Sequence, residues 1–474
     1  MAAPAGAAPA LPDPDSEAAL IVADDDPHAA TPIRWVREGA DAPLPPSAAL
    51  AGFKGQAGRM HLAVDAEGGP AALAGVGSAE PSAAALWAAA RALPAKLPPG
   101  DWRLEPHAAL ADVDAAIAWG LGARAYTAFK SKREPRARLL TGAAAADEAA
   151  RVVSAATLAR DMVDAPPNAM GPAQIEAAVR AVAAARGASV EVLSGEALER
   201  DAPAVHAVGV AAAPGREPRL IELTWEGAAE GPRVVIVGKG VAFDTGGLDI
   251  KPAAGMRLMK KDMGGAAHAL ALAQLVMDRR LPIRLTLLIP AVENAIGPEA
   301  MRPGDVLNTR AGHTVEVGNT DAEGRLILAD ALTRAGELEP DLTIDLATLT
   351  GAARIALGPQ VIPFYTADDD LAAGLAEAGQ AVHDPLWRMP LWAGYEDALK
   401  SDVADLKNDP DGWAQAGSVT AALFLQRFAP EAGSWVHFDI FAWNPRGRPG
   451  WPVGAEFQAV RALDHLLQRR YGAA

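Results

Sequence analysis

Two carboxylates and an arginine occupy alternate positions at Asp321, Glu323 and Arg325, inside the run Asn319-Thr320-Asp321-Ala322-Glu323-Gly324-Arg325-Leu326. Acidic residues at a helix start suit the helix dipole. Here, however, five consecutive polar or small residues separate apolar segments at a strand-to-helix junction, which makes a poor cap and a good ligand cluster. Carboxylates without histidine form a hard oxygen site, and Asp and Glu can bridge a pair of divalent cations. Two-metal hydrolysis fits that chemistry, because ions about 3.5–4 Å apart can share a water whose pKa falls toward neutrality. No serine or cysteine nucleophile is then needed.

Two earlier blocks carry residues of similar kind. Gly238-Lys239-Gly240-Val241-Ala242-Phe243-Asp244-Thr245-Gly246-Gly247 follows an apolar strand, and its four glycines imply close backbone packing. It is not a phosphate loop, which needs Lys followed by Ser or Thr and then a helix. The segment continues to Lys251 and to Met259-Lys260-Lys261-Asp262-Met263-Gly264-Gly265, where an Ala-rich helix begins. Taken singly, Asp262 reads as an N-cap, Lys239 as a solvated cation and Asp244 as a turn residue beside glycine. The Asp321 to Arg325 block changes that weighting.

The elements that must position these residues alternate along the chain. Strand patterns at Arg233–Val237, Ile283–Ile289 and Leu342–Leu346 alternate with helical ones at Met263–Met277 and Arg325–Ala335. This predicts an α/β catalytic domain with a mostly parallel central sheet flanked by helices. Ligands of such sheets sit beyond the carboxyl ends of the strands, which nominates the residues after Val237 and Leu346. The first ~140 residues mix strand-like stretches (Ala19–Ala23, Met60–Val64) with helical ones (Ser82–Leu93, Ala108–Phe129), giving a smaller N-terminal α/β domain. Its histidines, His28, His61 and His107, join no recognisable constellation. A helix over Ala144–Val163 stops at Pro166-Pro167. The expected organisation is a disordered tail over 1–16, an N-terminal domain over 17–143, a linker helix and Pro-rich junction over 144–168, and a catalytic domain over 169–474.

Composition excludes other classes. The 474 residues contain no cysteine, which removes disulfides, thiolate ligands and a cysteine nucleophile, and carry a formal net charge of −16. Acidity argues against a nucleic-acid partner. The densest cationic run, Lys130 to Arg138, reads as a solvated loop. No apolar run reaches a membrane span and no secretory signal is recognisable, so the expected setting is the cytoplasm.

The three blocks, together with Leu346 to Ala352, resemble in content and order the motifs of the leucyl aminopeptidase (cytosol aminopeptidase) family, the likeness running from about Thr157 to the C-terminus. The resemblance implies that Lys239, Asp244, Asp262, Asp321 and Glu323 ligate two divalent metals, Zn or Mn with Mg or Co as further options, Asp244 and Glu323 bridging. It implies that Lys251 polarises the substrate carbonyl and that Arg325 holds a proton-relaying bicarbonate. Met259, Thr348 and Gly351 then line the pocket for the N-terminal side chain, leucine-like residues being preferred, in a homo-hexamer acting on peptides. Around His437-Phe438-Asp439-Ile440-Phe441 the chain departs from the family, which has small residues after Ile; Phe441 and Trp443 therefore bear on side-chain preference.

Chemistry adds further expectations. A metal that binds the free α-amine restricts cleavage to N-terminal residues, with a metal-bridging hydroxide as nucleophile. Lys239 must lose its proton to ligate, whereas Lys251 must keep its own to stabilise an oxyanion. Two other classes compete. One is a DNA-binding or regulatory protein, which the net charge opposes. The other is a two-metal phosphodiesterase, which the lack of a histidine-rich ligand set opposes. His268, on the Ala-rich helix, reads as a packing residue, and His437 is left unassigned.

Overall fold

The computed structural model describes residues 18–26, 30–39, 44–64, 68–131, 134–410, 413 and 415–472. The expected tail over 1–16, His28, and Lys132 and Arg133 of the cationic run lie outside the described residues. The chain divides into two compact units, 1–158 with 444–454, and 159–443 with 455–474.

The first unit holds a six-stranded sheet. Its strands are β1 (Ile21–Ala23), β2 (Thr31–Arg37), β3 (Met60–Val64), β4 (Pro70–Gly77), β5 (Gly100–Leu104) and β6 (Ala137–Thr141), in the order β1-β6-β5-β2-β4-β3. All neighbours are parallel except β3 and β4. Helices Ala83–Ala92 and Asp112–Ala123 pack on each other, and Ile33, Leu139 and Trp119 fill the core. The second helix is shorter than the expected 108–129. A turn in which the Ala109 N–H donates to His107 Nδ1 (3.1 Å) precedes it, and Asp112 and Asp114 mark its first turn, where acidic groups meet the positive helix end.

The second unit is built on a nine-stranded sheet. Its strands are β7 (Ser189–Ser194), β8 (Arg219–Glu226), β9 (Arg233–Gly238), β10 (Gly240–Asp244) and β11 (Arg284–Asn294), then β14 (Leu342–Ala347), β15 (Ile362–Tyr365), β16 (Leu386–Arg388) and β18 (Ser434–Asp439). A small separate sheet comprises β12 (Val306–Asn308), β13 (Thr314–Glu316) and β17 (Leu406–Lys407). The central run β18-β14-β9-β11, with β10 paired to β11, is parallel. Antiparallel partners occur toward the edges, where β8 joins β11, β7 joins β8 and β15 joins β18. The mostly parallel sheet read from the sequence is thus borne out, and β14 is buried throughout, as a strand covered on both faces must be.

Alternation along β9 decides what faces what. A Cβ at Gly238 would come within 2.7 Å of Ala266 Cα and Ala269 Cβ, so Val234, Ile236 and Gly238 face the helix Gly264–Asp278. Val235 and Val237 point the other way, into a core shared with Leu326, Ile327 and Leu328 of the helix Glu323–Gly336. The next residue in that alternation, Lys239, is thereby aimed toward the second helix. The N-cap role that Asp262 suggests when taken singly is not what the structure shows. Asp262 lies within a 3₁₀ turn, Met259–Met263, and Met263 occupies the cap position of the following helix.

Candidate metal centre

The centre forms beyond the carboxyl ends of β9 and β14, where the strand order nominated it. The Lys239 N–H donates to Leu346 O (3.0 Å), and Lys239 O accepts from the Ala266 N–H (2.8 Å), which fixes its backbone between strand and helix. Its Nζ lies 2.7 Å from Asp262 Oδ2 and 3.0 Å from Glu323 Oε1, and donates to Thr348 O at 3.2 Å. Gly324 leaves room for the lysine's stem, because a Cβ there would stand 2.5 Å from Lys239 Cε.

Asp244 ends β10 opposite Asn294 of β11. Its Oδ1 accepts from Asn294 Nδ2 (2.8 Å) and from the Gly246 N–H (2.9 Å). Gly246 and Gly247 then turn the chain through positive φ (+86° and +65°), a conformation glycine adopts without strain. This return brings the Lys251 N–H to Thr245 O (3.0 Å), and the Lys251 ammonium reaches Asp244 Oδ2 (2.8 Å) and Asp321 Oδ1. Oxygens of Asp244, Asp262 and Glu323 all lie within 4.8 Å of one another.

Four carboxylates here face two ammonium groups, so the cluster is short of positive charge by two. Burial pushes the Glu323 carboxyl well above its ordinary value, and Asp244 beside it adds to the rise. The same two causes bring Asp321 up to about 6. Burial pushes Lys239 downward, but Asp262, Glu323 and Asp244 outweigh it and hold the ammonium above the ordinary lysine value. With the protein's own charges alone Lys239 is therefore a cation, and the expected loss of its proton requires the added charge of the dications. Burial likewise opposes the Lys251 charge, and Asp244 and Asp321 overcome it, holding this ammonium above the ordinary lysine value as well. Glu323 Oε2 is buried with no hydrogen-bond partner among the described residues. A buried acceptor without a donor, in a cluster with excess negative charge, fits hard divalent cations.

The structure thus joins Lys239, Asp244, Lys251, Asp262, Asp321 and Glu323 directly. Arg325 is buried one helical step beyond Glu323, where it donates to Asn408 O and lies 3.8 Å from Asp409, leaving Nε without a partner among the described residues. The Thr348 hydroxyl donates to Asp262 Oδ1 at 2.8 Å. Met259 is half-buried on the turn that carries Asp262. Gly351 is exposed at the start of the helix Gly351–Leu357, and a Cβ there would meet nothing within 4 Å.

Supporting residues escaped the sequence reading. Asn408, fully buried, accepts from the Gly318 N–H (2.8 Å) and donates to Asn319 O (2.8 Å), so it holds the loop that carries Asp321. Asp439 accepts from the Leu349 N–H (3.0 Å), the Thr350 N–H (3.1 Å) and Thr350 Oγ1 (2.6 Å), which pins the loop carrying Thr348. His437 is buried against Asp345 and stacks on Tyr365; burial lowers its pKa, but Asp345 and Asp439 raise it beyond the ordinary value. His268 sits between Gly264 O (2.7 Å) and Glu456 O (3.0 Å) on the buried helix, away from the ligand cluster's contacts.

A mostly parallel α/β sheet with a cluster of carboxylates and lysines beyond its strand ends fits the class of enzymes that hold metals by hard oxygen ligands. Comparison with known proteins agrees. Residues 157–463 match the catalytic domain of the cytosol aminopeptidase family, and residues 33–142 match the M17 aminopeptidase N-terminal domain. A probable cytosol aminopeptidase of Syntrophotalea carbinolica is 45% identical over 334 residues, which span 70% of this chain and 66% of that relative. The crystal structure of the cytosol aminopeptidase of Coxiella burnetii is 42% identical, with a TM-score of 0.89 over 96% of this chain and 100% of that one. The bottromycin maturation enzyme BotP in complex with Mn is 32% identical, with a TM-score of 0.85 over 93% and 99% of the two chains. The chain belongs to the cytosol aminopeptidase family.

Proposed function

We propose that the chain is a dinuclear metallo-exopeptidase that hydrolyses the first peptide bond of peptides carrying a free α-amine. The observation that carries this reading is the cluster of Asp244, Asp262 and Glu323, all buried, and half-buried Asp321 around Lys239 and Lys251, with Glu323 Oε2 unpartnered among the described residues. Lys239, Asp244, Asp262, Asp321 and Glu323 would hold two divalent ions, with Asp244 and Glu323 shared between them. Zn or Mn is the expected occupant, and Mg or Co is also compatible with this donor set. The Mn-bound BotP relative supports the choice. When bound, such a pair supplies a hydroxide nucleophile near neutral pH and a Lewis-acid seat for the substrate amine.

The chain's own residues do the rest. Lys251 keeps its proton and offers it to the oxygen that gains charge as the carbonyl is attacked, a contribution of about 3–4 kcal/mol in preorganised sites. Arg325, anchored by Asn408 and Asp409, presents its remaining N–H groups to a bicarbonate that relays protons. Met259, Thr348 and Gly351 border the pocket for the first side chain, which accepts leucine-like residues. The catalytic domain is assigned to 169–474, after the N-terminal domain (17–143) and the linker (144–168). A cytoplasmic homo-hexamer is the assembly that family membership supports, and no helix among the described residues is long and apolar enough to cross a membrane.

Hydrolysis of leucine p-nitroanilide and of its N-acetyl form, after chelation and after restoring Mn or Zn, tests the reading. Metal-restored cleavage of the free-amine substrate alone is expected. Cleavage of both forms would replace it with a broader amidase, and cleavage of neither by protein holding two metals would end it.

A further inference from the structure

Lys261 is adjacent to Asp262 yet takes no part in the ligand cluster. The residue is only 6% exposed, and its ammonium has no hydrogen bond or ion pair among the described residues. A buried charge without a partner is costly, so its retention calls for an anion that arrives from elsewhere. The neighbouring Lys260 turns the other way and donates to Asp164 O. The charges that act on the Lys261 ammonium are those of the centre and its surroundings, namely Asp262, Lys239, Asp439 and Lys251.

What Lys261 does touch is the ring of Phe441, whose centroid lies 4.9 Å from Nζ. Arg354 stands over the same ring at 5.2 Å, is exposed, and likewise has no ion pair among the described residues. Arg354 follows Gly351 by one helical turn, and Lys261 follows Met259 by two residues. The two cations and the phenyl ring therefore adjoin the residues assigned to the side-chain pocket.

We infer that Lys261, with Arg354 at the rim, forms an anion-binding end of the pocket for the substrate's first side chain, so that peptides beginning with glutamate or aspartate are substrates alongside those beginning with leucine. This rests on the aminopeptidase reading and specifies its substrate class. Glutamate combines an aliphatic stem comparable to that of leucine with a terminal carboxylate. The stem packs on Met259 and Phe441 while the carboxylate meets the ammonium. A largely buried cation of this kind discriminates between substrates, because one lacking the matching group leaves it unpaired.

The test compares kcat/KM for glutamate and leucine p-nitroanilides on the full-length, metal-loaded protein and its Lys261→Met, Lys261→Glu and Arg354→Met variants. Wild type should cleave both substrates. The Glu:Leu ratio should fall about ten- to a hundredfold in Lys261→Met, the range for one charge-assisted hydrogen bond, and less in Arg354→Met. Lys261→Glu should shift the preference toward N-terminal lysine. Calorimetric titration with free L-glutamate should show the same weakening without relying on turnover.

An unchanged Glu:Leu ratio in folded Lys261→Met would overturn the inference. So would loss, in that variant, of discrimination between Leu-Gly and its C-terminal amide, which would assign the anion to the peptide's own carboxylate. Leucine cleavage with glutamate refused by wild type defeats this inference alone, whereas cleavage of neither defeats the aminopeptidase reading with it. If Lys261→Met fails to fold, the exposed Arg354→Met decides, an unchanged ratio there counting against the inference.

Discussion

Replacement of Gly324 by alanine separates the chemistry of Lys239 from its packing. The added methyl would lie 2.5 Å from Lys239 Cε, 2.6 Å from Nζ and 2.8 Å from Cδ. Carbon atoms rest about 3.5–4.0 Å apart, so the end of the lysine must retreat by about 1 Å. The helix itself gains, since alanine is favoured over glycine in helices by up to about 1 kcal/mol, and the displaced atoms end a flexible side chain. Folding stability should therefore stay within about 1 kcal/mol of wild type, while Nζ leaves its place 2.7 Å from Asp262 and 3.0 Å from Glu323. A misplacement of ~1 Å in a catalytic constellation costs on the order of 100-fold, or about 2.7 kcal/mol in activation free energy. Metal content by plasma mass spectrometry, thermal melting by circular dichroism and leucine p-nitroanilide kinetics provide the three readouts. Metal per chain should fall from two toward one and kcat/KM by about 100-fold, with little change in melting temperature. A folded Gly324→Ala protein with two tightly held metals and wild-type turnover would refute the assignment of Lys239 as a ligand.

Other substitutions probe the remaining parts. Lys251→Ala should lower kcat by about 10²–10³ with both metals retained, and unchanged turnover would remove Lys251 from the mechanism. Asp321→Ala and Glu323→Ala should each lower metal content below two per chain; full occupancy in either variant would defeat the ligand set. Asp439→Ala should raise the metal concentration needed for half-maximal activity, because Asp439 pins the loop from which Thr348 donates to Asp262, and Asp439→Asn should partly rescue it through an amide oxygen that still accepts from Leu349 and Thr350. Burial raises the Asp330 carboxyl to about 6 although three backbone N–H groups donate to it, so the folded state retains that proton longer than the unfolded state. Its contribution to stability is therefore present at low pH and lost as pH rises through ~4–6, by roughly 2–3 kcal/mol; urea midpoints of wild type and Asp330→Asn should diverge across that window, and parallel profiles would contradict it.

The residues that meet in the cluster were legible because each lies in a short polar block at the end of an apolar strand or the start of a helix, where local sequence records both position and chemistry. The supports were not. Asn294, Asn408 and Asp439 are single polar residues far along the chain from the groups they hold, and only strand register or loop closure brings them together. Asp244 meets Asn294 because β10 and β11 pair in parallel, across 50 positions of sequence. The N-cap that Asp262 suggests when taken singly is absent for a related reason. Acid before an Ala-rich run is a cap signal, but the 3₁₀ turn moves the helix start and frees the carboxylate for Lys239 and Thr348. Lys261 shows the limit most clearly, since nothing in Lys260-Lys261 says which lysine turns inward.

Close packing and charge shortage have a common origin here. Gly238 lets the helix Gly264–Asp278 press against β9, and Gly265 continues that contact, its missing Cβ leaving room 2.2 Å from Leu346 O. On the opposite face, Gly324 admits the stem of Lys239. Three glycines on two helices and a strand thus draw Asp262 and Glu323 onto one ammonium and exclude the water that would otherwise solvate them. In that dry setting the carboxylates cannot all remain ionised without more positive charge than Lys239 and Lys251 supply, which is why Glu323 and Asp321 are pushed upward. The packing therefore leaves a charge shortage that divalent cations would fill; enlarging Gly324, which meets only the end of the Lys239 side chain, should weaken metal binding before it unfolds the domain, whereas a Cβ at Gly238 or Gly265 meets backbone and should cost stability as well.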